Sequence, residues 1–270
     1  ERGGRVGALS TPVGRVIGTE ANAASALEFW VYVDPQCYLQ LDDVVTVPID
    51  LPDGKRVRIH GIVDQVRSKY EGARFDSDAD LAARELLPVD IANAAHVAVT
   101  RVDPEIFVAP FPGAEVFRSE GLDRDQALYF DKMLEAKTAF HAGLSRDEHP
   151  VFGNLEFLDG TRGAHMNISG ISGVATKTSY ALFLLYSLFH SKVLGQHAAN
   201  TKAIVFNVKG EDLLFLDKPN SKLTDSDRDK YRLLGLDAAP FASVGIWSPV
   251  RKEGTAFVHA SSQRPDAHTY

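Results

Sequence analysis

"GISGVATKTS", residues 170–179, is the stretch on which the reading of the whole chain turns. Gly170 and Gly173 punctuate a loop, and the pair Lys177-Thr178 stands at the head of a strongly apolar run. That run, Ala181–Leu185 with Leu188 and Phe189, is apolar on nearly every helical face. The pattern predicts a helix from Lys177 to Gly195, its C′ residue, buried in an α/β core. Ala164–Ser169, just before the loop, reads as a short strand. Strand, glycine loop, Lys-Thr and buried helix make up the setting a phosphate-binding loop requires.

The residue types fit that chemistry. Successive backbone N–H groups of such a loop form a nest for phosphate oxygens, reinforced by the positive end of the helix dipole. Lys177 is placed to reach the β- and γ-phosphates of ATP, and the Thr178 hydroxyl to ligate Mg²⁺. Gly170, Ser172, Gly173, Val174, Ala175, Thr176 and Ser179 complete the candidate cradle. The spacing departs from the usual G-x-x-x-x-G-K-[ST]. Thr176 stands where a glycine would let the backbone approach the β-phosphate without a Cβ in the way. The first glycine would fall on Ile171, so Gly170 has to serve from one place further off. The competing reading is a structural turn leading into a buried helix, with Lys177 solvated or ion-paired.

Composition bounds the alternatives. A chain of 270 residues with 44% hydrophobic and 24% charged content can bury one large core or two ordinary ones. A net charge of −7 argues against wholesale wrapping of nucleic acid, though a local basic patch is compatible with it. The single cysteine, Cys37, excludes an internal disulfide and fits a reducing, cytoplasmic setting. No apolar run reaches the length of a membrane span, so a membrane is not an expected partner. The chain opens on Glu1 rather than Met, and its first residue is expected not to be the native start.

Two halves of different character follow. In residues 1–112 the runs 14–18, 26–33, 38–51, 55–66 and 94–102 are rich in Val, Ile and aromatics. Turn chemistry separates them, most clearly Pro52-Asp53-Gly54, a strong hairpin signal. So many short strands predict a small closed β-barrel. "DSDADLAARELL" (76–87) interrupts it as a short helix capped by Asp76 or Ser77. Residues 113–150 read as a helical connector. There Ala127, Phe130, Met133, Leu134 and Phe140 approximate one helix face, ended by Gly143. Residues 151–270 alternate strand and helix, which predicts βαβ units and a parallel sheet.

The order of motifs downstream adds a resemblance. Residues 200–217, "NTKAIVFNVKGEDLLFLD", read as a hydrophobic strand followed by an acidic, glycine-containing turn. Residues 231–250, "YRLLGLDAAPFASVGIWSPV", read as a helix ending near Gly235 and then a strand ending in Ser-Pro. With a barrel in front, this resembles the HerA/FtsK class of ring-forming DNA-translocating ATPases, and the barrel resembles their HAS barrel. The resemblance implies a RecA-like P-loop core over 151–270, present only in its first part. It implies ATP and Mg²⁺ as cofactors, a homohexameric ring and duplex DNA in its channel. It also implies a nuclease or effector partner docked on the barrel, in DNA processing or antiviral defence. It assigns phosphate contact to Lys177, Mg²⁺ to Thr178 and a catalytic role to Glu211, with Asn207 where the family has an aspartate. A second acidic motif and an arginine finger have no counterpart here, and the chain is expected to be a fragment of a longer protein.

Thr176, Asn207 and the missing second acid also fit a different class, a degenerate ATPase acting as a ring scaffold for an effector. A small-molecule P-loop kinase or a transport ATPase is a third option, made less attractive by the barrel. Weaker signals have plain readings. The nine histidines show no pair at metal-ligand spacing, and Ser172 has no local partner that would make it a nucleophile. Lys55, Arg56 and Arg58 read as a solubilising hairpin edge, with contact to DNA or a partner as the alternative. Residues 217–234 read as a solvated loop entering a helix capped by Thr224 or Asp225, with a DNA-facing loop as the alternative.

Overall fold

The computed structural model describes residues 11–73, 75–170, 176–207, 212–248, 250–253, 256–259 and 267–269. It divides into two compact units, Glu1–Glu135 and Ala136–Tyr270.

The first unit is built on a closed barrel of six antiparallel strands. These are β1 (Gly14–Val16), β2 (Glu28–Val33), β3 (Val44–Asp50), β4 (Arg56–Tyr70), β5 (Ile91–Asp103) and β6 (Glu115–Arg118), in the order β1-β2-β5-β4-β3-β6. Alternation decides which face is buried. Phe29, Val31 and Val33 on β2, Val45, Val47 and Ile49 on β3, and Val57, Ile59 and Val63 on β4 meet in one core. Their neighbours Trp30, Tyr32 and Arg58 face outward. The Pro-Asp-Gly turn lies where the sequence puts it, with Gly54 at φ +85° and the Leu51 and Lys55 backbones closing the hairpin at 2.8 Å. A register shift at His60/Gly61 bends β4. A Cβ on Gly61 would lie 2.4 Å from Val97 Cγ1 and 2.7 Å from the Ala98 carbonyl, so close packing demands glycine there.

Helix α1 (Asp76–Ala83) links the long strands β4 and β5. It begins where expected, but Phe75 occupies the N-cap and the Asp78 carboxylate accepts from the Phe75 N–H at 3.1 Å. The connector differs more. Instead of one helix it forms α2 (Gly121–Ala127) and α3 (Phe130–Glu135), broken where Tyr129 takes φ 59°, a left-handed conformation that stops an α-helix. The segment also contributes β6, which closes the barrel between β1 and β3.

These helices cover a polar patch on the outer barrel wall. Thr46, His60 and Arg101 lie side by side across β3, β4 and β5. The Arg58–Asp123 and Arg101–Asp131 ion pairs, both at 2.8 Å, fasten the helices over them. Beneath, Thr46 Oγ1 lies 2.7 Å from His60 Nδ1 and 2.6 Å from Ser119 Oγ. His60 is fully buried, and its Nε2 has no hydrogen-bond partner.

The second unit opens with a hairpin, β7 (Ala139–Leu144) and β8 (Pro150–Asn154). Phe140, expected on a helix face, is instead buried in β7, its ring where a side chain on Gly153 would have to sit. Helix α4 (Thr176–His190) packs against β7. It ends at His190, short of Gly195, and Lys192 beyond it adopts φ 64°. Helix α5 (Asp225–Leu233) has the Thr224 cap and the Gly235 terminus read from the sequence, with Thr224 Oγ1 accepting from the Asp227 N–H at 3.2 Å. The two helices meet through Phe183, Tyr186 and Tyr231, and Tyr186 Oη donates to the Asp237 carbonyl at 2.6 Å. The strands β9 (Trp247–Ser248), β10 (Val250–Glu253), β11 (Ala256–His259) and β12 (His268–Thr269) form two small pairs.

Among the described residues the only parallel pairing is the two-residue β9–β12 contact. Ala164–Ser169 and residues 201–207, both read as strands, have no ladder. Strands of a parallel sheet are normally covered on both faces, whereas Ile204 and Phe206 are 80% and 84% exposed.

Burial pushes the His60 pKa down from 6.5 to about 4, and the Arg58 charge acts in the same direction. The unfolded chain therefore takes up a proton below about pH 6.5 that the folded barrel refuses until about pH 4. Stability should fall across that window by up to about 3 kcal/mol, and His60→Gln should flatten the slope. Urea midpoints at pH 7, 6, 5 and 4.5 for both proteins measure it. Gly61→Ala should lower barrel stability by about 1–3 kcal/mol at any pH, read by the same titration.

Candidate nucleotide site

The residues singled out by the sequence fall partly within the described structure. Gly170 is exposed, and Ser172, Gly173, Val174 and Ala175 lie outside the described residues. Thr176 is the first residue of α4, Lys177 the second, and Thr178 and Ser179 are exposed on the same first turn. Glu211 lies outside the described residues, Asn207 is exposed, and a 3₁₀ turn follows at Asp212–Phe215. The structure thus brings Gly170 and Lys177 together and says nothing of how Glu211 stands to them.

Lys177 Nζ donates to the Gly170 carbonyl at 3.0 Å, tying the two ends of the glycine-punctuated stretch. The contact is close, since a Cβ on Gly170 would sit 3.2 Å from Lys177 Cγ. An ammonium has three N–H groups, and this bond uses one. No acidic residue occupies the first turn of α4. Its opening therefore presents backbone N–H groups, two hydroxyls and an ammonium, with no carboxylate there to repel an anion. This donor set fits the phosphates of ATP, and the exposed Thr178 hydroxyl fits a place in a Mg²⁺ shell.

The start of α4 is anchored as well. Tyr180, one turn on from Lys177, donates its hydroxyl to the Ala142 carbonyl of β7 at 3.0 Å. The sequence pattern does not disclose this tie, because Phe140 fits a helical spacing and the segment that forms β7 reads as helix. The run Ala139-Phe140-His141, with a polar turn at 145–149, is the signal that would have revealed a hairpin.

Elsewhere, among the described residues, no three His, Cys, Asp or Glu side chains converge as a metal site would need. No described helix is long and apolar enough to cross a membrane. Compared with protein-family models and with curated proteins, the chain matches none.

Proposed function

We propose that the chain is the barrel and first core segment of a HerA-like, ATP-driven DNA translocase. The observation that carries this reading is Lys177 in the first turn of α4, tied back to Gly170 and free of acidic neighbours on that turn. A closed barrel earlier in the chain supports the same family. In this reading the chain works in the cytoplasm as a homohexameric ring with duplex DNA in its channel, and a nuclease or effector docks on the barrel. Lys177 steadies charge on the γ-phosphate as water attacks it, and Glu211 carries the catalytic role that the resemblance assigns to it. Mg²⁺, held through Thr178, would neutralise charge across the β- and γ-phosphates.

One observation favours a second reading, a ring scaffold with a weak site. Threonine stands at position 176, where the usual loop has glycine.

ATP turnover by the full chain, with and without duplex DNA, tests the first reading. Lys177→Ala should lower turnover about 100-fold, as removal of one transition-state donor does elsewhere. Thr178→Ala should raise the Mg²⁺ concentration needed for half-maximal turnover. Turnover that survives Lys177→Ala undiminished would remove the site assignment, and a wild-type ring that assembles without turnover would favour the scaffold.

A further inference from the structure

We infer that the base of the bound nucleotide lies in a cleft beside α4, against the ring of Tyr180. This rests on the reading of Lys177 as a phosphate contact and adds the part of the ligand that reading leaves unplaced. The cleft, of about 420 Å³, opens between the β7–β8 turn and helices α4 and α5. Its walls include Tyr180, Phe183 and Tyr231, with Arg146 and Lys230 among its lining residues.

Three features suit a purine nucleotide. The Tyr180 and Phe183 rings are nearly parallel, at 18° with centroids 6.3 Å apart, and Tyr231 meets Phe183 edge-on at 75°. Together they offer a flat face with a perpendicular wall, and stacking on such faces is open to any base but stronger for the larger ones. Arg146 and Lys230 outnumber the one acid of the lining, Glu148, so the cleft does not repel a ligand that carries phosphates alongside its base. Lys177, Tyr180 and Phe183 stand three residues apart along α4, in a row that rises roughly 9 Å and winds about 60° around the helix at each step. A nucleotide that follows that row meets the ammonium with its phosphates and the rings with its base.

Tyr180 is 42% exposed, and its hydroxyl is already committed to Ala142, so the side chain is held in place and the residue stays reachable. Its role is binding and selectivity, and no reacting atom lies near it in this arrangement.

The test is equilibrium binding of ATP, UTP, adenosine and inorganic tripolyphosphate to the full chain. Lys177→Ala, Tyr180→Ala and Tyr180→Phe are measured alongside, with circular dichroism to confirm folding. ATP should bind at least 5-fold tighter than tripolyphosphate and tighter than UTP. Tyr180→Ala should weaken ATP about 5- to 100-fold and leave tripolyphosphate unchanged. Tyr180→Phe should keep the preference, which separates ring stacking from the hydroxyl's structural tie. If ATP and tripolyphosphate bind equally and both need Lys177, the cleft proposal is overturned while the phosphate reading stands. If adenosine binds through Tyr180 but tripolyphosphate does not bind, the phosphate reading fails and the ring site survives alone. If Tyr180→Ala is folded and binds ATP as the wild type does, the inference is wrong.

Discussion

A polar patch under a helical cover sets the form of the first unit. Thr46, His60 and Arg101 cross β3, β4 and β5 on the outward face, where a barrel strand would ordinarily meet water. Helices α2 and α3 close over them, so each polar group must find a partner or carry a desolvation penalty. Arg58 and Arg101 find Asp123 and Asp131, and Thr46 joins His60 to Ser119. His60 Nε2 is left without a hydrogen-bond partner, and the ring stays neutral because burial disfavours its charged form and the Arg58 charge acts in the same direction. The cover is therefore specified by charge placement as much as by the apolar contacts of Ala127 and Phe130.

The arrangement explains why a short, balanced helical segment can hold its place. Seven- and six-residue helices are too short to persist alone in water. Ion pairs on a water-facing surface contribute little, but Arg101 and Arg58 are mostly shielded here, and Arg101 also donates to the Gln126 carbonyl at 2.9 Å. The Tyr129 break fits the same scheme. It lets the chain turn so that Asp131 reaches Arg101, and the Arg101 guanidinium lies 4.9 Å from the Tyr129 ring.

How much of this the sequence discloses depends on how local the cause is. Strands β1 to β5 and the Pro-Asp-Gly turn follow from alternation and turn residues, which act over a few positions. The Thr224 cap and Gly235 terminus of α5 are local for the same reason. Strand β6 has four residues, Glu115–Arg118, and exists because two distant strands need an edge partner, so no local pattern marks it. The split of α2 from α3 depends on Arg101, far away in sequence. Phe140 satisfied a helical spacing by coincidence, and pairing with β8 overrode it. At the candidate site, Lys177 at a helix start was readable, because glycine punctuation and an apolar run are local signals. Its tie to Gly170 and the Tyr180 anchor on Ala142 were not, because both depend on where backbone carbonyls come to lie.

Those ties bear on whether an irregular loop can grip an anion at all. A lysine that must be gathered from solution loses rotamer freedom on binding, at roughly 0.5–1.5 kcal/mol for a side chain of this kind. Lys177 is already half-buried and hydrogen-bonded, and α4 is fixed at its first turns by Tyr180 and further along by Tyr186. Part of the ordering is thus complete before any ligand arrives. Against it stands a threonine at position 176, where glycine would let the backbone come closest to a phosphate. The two effects act on different quantities. Pre-ordering lowers the cost of binding ground state and transition state alike, whereas backbone distance weakens the contacts that should tighten as charge develops on the γ-phosphate. On the proposed reading, a site built this way would favour holding a nucleotide over hydrolysing it, and turnover is the quantity on which the ATPase and scaffold readings part.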